Sequence, residues 1–176
     1  VNLQDTYFVV AHFHYTIMGG VVFGFLAGLH YWFPKITGRM YNRRFAQIYA
    51  IWIGLFFQTT FIPMFWAGTN GMNRRIADYA PNLANVNMWV SINAFILGAG
   101  FVMFAINMLW GAIKGEKVGP NPWGASTLEW QISSPPPLHN FPSLPEIVAT
   151  PYPYGTEEQH AVFSGRHELV GSGEGA

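Results

Sequence analysis

The stretch "DTYFVVAHFHYTIMGGVVFGFLAGLHYWFPK", Asp5 to Lys35, has no Asp, Glu, Lys or Arg between its two end residues. Two more charge-free runs follow, Arg44 to Arg74 and Asp78 to Lys114. A helix that crosses a bilayer needs about 20 mostly apolar residues, and each of these runs is longer than that. A segment in lipid must pair its own backbone amides, which makes an isolated span a helix. The pattern therefore predicts an all-α membrane protein with three transmembrane helices, at about 6–33, 45–69 and 83–113. Three core helices of a soluble protein are the alternative. Such helices keep a charged face, and these have none.

Of 176 residues, 51% are hydrophobic and 10% charged. The formal charge is zero, but it is unevenly spread. Residues 1–117 hold eight Lys or Arg against three Asp or Glu, and residues 118–176 hold one Arg against six Glu. That asymmetry separates a membrane segment, 1–117, from a tail, 118–176, in different surroundings. Nothing in it points to nucleic acid as a partner. The absence of cysteine excludes disulfides, thiolate metal sites and thiol nucleophiles. The sequence begins at Val1 and has no basic stretch before its first apolar run, so it does not read as a signal peptide. It reads as part of something longer.

Charge also orients the spans. Lys35, Arg39, Arg43, Arg44, Lys114 and Lys117 flank one side, against Arg74 and Arg75 on the other, which places the first connection and the C-terminus inside. The start of the first helix, with His12 and His14, then faces the outer side together with the Arg74–Arg75 pair. The tail, "GPNPWGASTLEWQISSPPPLHNFPSLPEI", is rich in proline and turn residues, and Pro135–Pro137 favours polyproline II. It is expected to lie extended over an inner protein surface, anchored by Trp123, Trp130 and Phe141. His139, His160 and His167 read as solvated, and the terminal "GSGEGA" reads as disordered.

The pair "HFH", His12 and His14, then becomes informative. On a strand both imidazoles would share a face and one metal ion. On a helix each residue advances about 100°, so two residues separate them by about 200°. If both are ligands, they serve two separate centres on opposite sides of one helix. Polar side chains in a membrane interior are costly and commonly functional, and neutral imidazole is an axial ligand for haem iron. Haem propionates need cations, and Arg forks carboxylates with two hydrogen bonds. Arg74 and Arg75 sit on the matching side. The plainer alternative gives the histidines hydrogen bonds to neighbouring helices and the arginines lipid headgroups.

"DTYFVVAHFHY" resembles the signature of subunit I of the haem–copper oxidases, the catalytic subunit of cytochrome c oxidase. "GMNRRIADY" is similar to that family's arginine-pair loop, and "NPWGASTLEWQISSPPPLHNF" to the cytoplasmic tail of its bacterial members. The resemblance covers nearly the whole chain but only the C-terminal part of the family's subunit. It implies the last three helices of a twelve-helix bundle. It further implies that His12 is the proximal, catalytic ligand of the oxygen-binding haem and His14 an axial ligand of the six-coordinate haem. Phe13 would pack near both macrocycle edges. Arg74 and Arg75 would hold propionates, and Asp5 would match a magnesium ligand.

The two haems, of the a type, would work beside a copper B centre whose histidines lie outside this chain. Partners implied are the remaining N-terminal part of subunit I, subunit II with copper A, subunit III, cytochrome c as donor, and the lipid bilayer. The setting implied is the bacterial cytoplasmic membrane, multi-pass. The reaction implied is reduction of O2 to water with proton translocation, which this chain cannot perform alone. Two departures stand out. Gln4 replaces a histidine that many relatives place before the aspartate, and Asn73 replaces the proline that often precedes the arginines. Rival readings are a quinol oxidase on the same fold and a non-catalytic diheme electron-transfer module.

Gly20, Gly24 and Gly28 repeat at i+4, a spacing that lets membrane helices approach closely. Gly19 falls within about 20° of the His12 face, leaving room for a haem or serving packing. His30 is expected to snorkel or hydrogen-bond. Pro63 is expected to kink the second helix. Asn85, Asn87, Asn93 and Asn107 are expected to bond across to neighbours.

Overall fold

The computed structural model describes residues 2–125 and 127–141. His160, His167 and the glycine-rich end lie outside the described residues. Three helices long and apolar enough to cross a membrane dominate the chain: Tyr7–Thr37, Arg43–Thr69 and Pro81–Lys114. The protein is thus an all-α integral membrane protein, as the charge gaps predict. The chain divides into two compact units. Among the described residues, one holds 2–31 with 41–115; the other holds 32–40 with 116–125 and 127–141.

Each helix departs from its expected bounds for a local reason. The first runs on to Thr37 through Pro34 and Lys35, past its expected end at residue 33. A lysine need not end a helix when its ammonium has partners, and Lys35 has three. The second begins at Arg43 because Asn42 caps it: Asn42 Oδ1 accepts the Phe45 amide at 3.0 Å. The third is entered through a single 3₁₀ turn, Pro81–Leu83, with proline at its start.

The first span is not uniformly α-helical. Tyr7–Phe13 is α, His14–Val22 is π, and Phe23–Thr37 is α again. Wider π turns wind less per residue than α turns, so faces assigned at 100° per residue shift below His14. Its start is capped by Thr6, whose hydroxyl accepts the Phe8 amide.

In the first unit the second span packs against both others. Gly68 sets the closest approach: a β-carbon there would overlap the backbone of Phe8. Gly20 and Gly24, by contrast, meet nothing within this chain among the described residues. Only 6% of the most apolar stretch of the first span is buried, against 33% for the second. Most of the first span's apolar surface therefore faces away from this chain.

Several polar side chains inside the spans are paired. Pro63 lacks the amide that would bond the Thr59 carbonyl, and the Trp89 indole donates to that carbonyl instead, at 3.1 Å. Thr59 Oγ1 donates to Asn93 Oδ1 at 2.8 Å. Asn107 exchanges two bonds with the Asn42 backbone and donates a third to the Tyr49 hydroxyl at 3.2 Å. His30 bonds the Leu26 carbonyl at 2.6 Å and the Tyr49 hydroxyl at 2.5 Å. The expectations for His30, Asn93 and Asn107 hold.

In the second unit, Arg39–Met40 pairs antiparallel with Glu116–Lys117. Lys35 is buried and donates to the carbonyls of Pro120 at 2.9 Å, Ile132 at 2.7 Å and Ser133 at 3.3 Å. Its ammonium lies 5.2 Å from the ring centroid of Trp130, itself fully buried. Gly38 turns the chain at φ +69°, and a β-carbon there would sit 2.8 Å from the Ser134 carbonyl oxygen. His139 is exposed.

Candidate haem-ligand site

The start of the first span and the loop after the second are stitched together. The Tyr7 amide donates to Met72 at 2.9 Å, Thr6 bridges Asn73, and the Arg74 amide donates to the Asp5 carbonyl at 2.8 Å. Met72 is buried with Ala67 and Leu83, and Tyr7 and Val86 pack on them. This places the histidine end of the helix beside the arginine pair, as charge patterning predicts. Between one and two turns separate the helix start from His12 and His14.

Within that seam, Arg74 donates from Nε to Asp5 Oδ1 at 2.8 Å, and its Nη2 reaches the same oxygen. Sequence reasoning assigned Asp5 and Arg74 to different groups and did not foresee their contact. Arg75 is exposed and makes no ion pair among the described residues. Asp5 and Arg75 both take left-handed backbone, at φ 60° and 62°. Holding a non-glycine residue there costs about 1–2 kcal/mol, and the cross-chain amide bonds maintain it.

The two imidazoles sit in different settings. His12 is exposed on the surface of the chain. His14 is half-buried against the second span, its ring stacked on Phe61 at 4.3 Å. His14 Nδ1 lies 2.8 Å from the Val10 carbonyl oxygen. A carbonyl only accepts, so Nδ1 carries a proton, and in the neutral ring the lone pair is on Nε2. That is the tautomer and the second hydrogen bond of a histidine that ligates a metal through Nε2. The donor chemistry of His14 thus fits axial ligation of haem iron.

Other expected residues land elsewhere. Phe13 stacks on the His14 ring, centroids 4.4 Å apart. Gly19 faces the second span: a β-carbon there would touch Phe57 at 3.7 Å. The π turns between His14 and Gly19 account for this, since the expected alignment with His12 assumed α winding throughout. Gln4 is exposed beside Asp5. Among the described residues no three His, Cys, Asp or Glu side chains gather around a point where a metal could sit.

Sequence reasoning also missed the wall behind His14. Phe57, Phe61 and Phe65 recur at i+4 along the second span. Phe65 meets Phe8 at 4.8 Å, Phe61 meets His14, and Phe57 meets Tyr15 at 4.9 Å and Phe23 at 5.1 Å. Tyr15 also donates to Gln58 Oε1. The phenylalanine stripe was the available signal.

Comparison with known proteins identifies the family. Residues 1–102 match the sequence model of the family described as Cytochrome C and Quinol oxidase polypeptide I. The chain is 42% identical over 168 residues to cytochrome c oxidase subunit 1 of Thermostichus vulcanus, covering 96% of this chain and 30% of that protein. It is 43% identical over 159 residues to the Synechocystis subunit 1, covering 90% and 29%. The Bacillus subtilis subunit 1 is 44% identical over 149 residues, covering 83% and 24%. The chain therefore spans under a third of the length of these relatives. By sequence, it belongs to the cytochrome c and quinol oxidase polypeptide I family.

Proposed function

We propose that this chain is the C-terminal part of the catalytic subunit of a terminal respiratory oxidase, one that reduces O2 to water with electrons from cytochrome c and couples this to proton translocation. His12 would ligate the oxygen-binding haem and His14 the six-coordinate haem. Arg74 and Arg75 would hold propionates. Asp5 would add one carboxylate to a magnesium site whose other donors come from outside this chain, since magnesium binds through one or two carboxylates with water. When bound, two haems of the a type and copper B supply the electron-transfer and oxygen chemistry. This chain's residues hold, orient and charge-balance those groups.

The observation that carries the reading is the split setting of two imidazoles on one helix. His12 is on the open surface, and His14 is turned into an aromatic wall with Nδ1 already committed to Val10. The largely unburied first span supports a further bundle of helices around it. The relatives' names support cytochrome c rather than quinol as donor. The remaining part of subunit I, subunit II with copper A and subunit III complete the complex. We place it in a bacterial cytoplasmic membrane with the C-terminus inside.

A carbon monoxide difference spectrum of the reduced complex containing this chain tests the reading. One haem that binds carbon monoxide beside one that does not is the expected result. Two haems that both ignore it would mean a diheme electron carrier. A copper A site in the copurifying second subunit separates a cytochrome c oxidase from a quinol oxidase.

A further inference from the structure

His14 is gripped on three sides. Its Nδ1 edge is tied to the Val10 carbonyl at 2.8 Å. Phe61 stacks on the ring with centroids 4.3 Å apart and planes 21° from parallel; Phe13 stacks at 4.4 Å and 29°. Two rings cannot share one face of an imidazole at these spacings, so they cover opposite faces. The Nε2 edge has no hydrogen-bond partner among the described residues. The hydrogen bond sets the tautomer but leaves the ring a hinge about that axis, and the flanking rings remove the hinge.

The two flanking rings are not equivalent. Phe13 is the chain neighbour of His14 and is partly exposed, so it moves with the same backbone. Phe61 is buried, belongs to another helix, and is braced by Phe57 at 5.0 Å. It is the fixed reference against which the His14 plane is set. An edge-on imidazole bound to iron overlaps the metal's orbitals according to its rotation. Ring rotation therefore alters the electronic asymmetry of a low-spin haem, not merely whether it binds.

We propose that Phe61 is a positioning residue of the six-coordinate haem: by stacking on His14 it fixes the rotation of the axial imidazole. This rests on the assignment of His14 as an axial ligand. The stack works through shape and not charge, so it requires a flat ring at position 61 and not merely apolar volume there.

The test uses the intact complex and two variants, Phe61→Tyr, which keeps the ring, and Phe61→Met, which keeps apolar bulk without it. The readout is the electron paramagnetic resonance spectrum of the oxidised low-spin haem, together with its midpoint potential. Phe61→Met should shift or broaden the highest g component and move the potential, while Phe61→Tyr stays at the wild-type position. Loss of the low-spin haem in Phe61→Met with full loading in Phe61→Tyr supports the proposal equally. If both variants match wild type, or both change alike, the ring does not position His14 and the proposal is overturned. His14→Ala is the control for the underlying assignment: a low-spin signal that survives it would overturn the ligand reading itself, whatever the Phe61 variants do.

Discussion

Arg74 and Asp5, 69 residues apart in sequence, are joined twice. The Arg74 amide donates to the Asp5 carbonyl, and the guanidinium donates from Nε and Nη2 to one carboxylate oxygen. The side chains remain 28% and 64% exposed. An exposed pair of this kind adds at most about 1 kcal/mol, so stability is not its main consequence. Its consequence is orientation: a guanidinium held along one edge keeps its remaining N–H groups for another acceptor.

That orientation makes Arg74→Ala informative. The backbone bond to Asp5 survives the substitution, so the seam should hold and the complex should lose no more than about 1 kcal/mol. If Arg74 holds a propionate as proposed, removing this cation should lower the potential of the neighbouring haem, because the oxidised iron is then less disfavoured. A redox titration of the assembled complex reads this. Unchanged potentials in both haems would place the Arg74 head away from any propionate.

His12 and His14 predict separable losses. His12→Ala should abolish the carbon monoxide-binding spectrum and spare the low-spin band. His14→Ala should remove the low-spin band. Either variant leaving both bands intact would falsify the assignment of separate centres. Optical spectra of the reduced complex, with and without carbon monoxide, decide it.

The spans were legible in the sequence because lipid forbids unpaired charge, so Asp5, Lys35, Arg44, Arg74, Asp78 and Lys114 act as fence posts. The split of His12 from His14 was legible from helical winding alone. The π segment was not, because an apolar run in lipid carries no periodicity that distinguishes α from π turns; of the two roles expected for Gly19, the structure shows packing, against Phe57. The Asp5–Arg74 pair and the Lys35 cage were hidden for another reason. Both join residues far apart in sequence, and Lys35 marked a helix end only until carbonyls 85 to 98 residues away were seen to satisfy it.

The Lys35 cage gives a prediction about the tail. Lys35→Met would strip the donor from three carbonyls and the cation from the face of Trp130. Each carbonyl left without a donor costs on the order of 1–3 kcal/mol if it cannot reach water. The segment around the 3₁₀ turn Leu128–Gln131 should then open more often. A glutamate-specific protease added to open membrane fragments should cut after Glu129 faster in the variant than in wild type. Equal rates would mean that the ammonium does not hold this segment.

Pro63 and Trp89 supply the sharpest test of packing. Proline at 63 leaves the Thr59 carbonyl without its helical donor, and the Trp89 indole donates to it at 3.1 Å. Trp89→Phe keeps a ring but removes the N–H, stranding that carbonyl at a cost of about 1–3 kcal/mol. Pro63→Ala returns the amide to the helix. In the Pro63→Ala background the Trp89→Phe change should therefore cost much less, giving a coupling of about 0.5–3 kcal/mol, the range for residues sharing one partner. Detergent or thermal unfolding of wild type, both single variants and the double variant measures it. Strictly additive losses would show that the indole packs against the second span without serving the carbonyl that Pro63 leaves open.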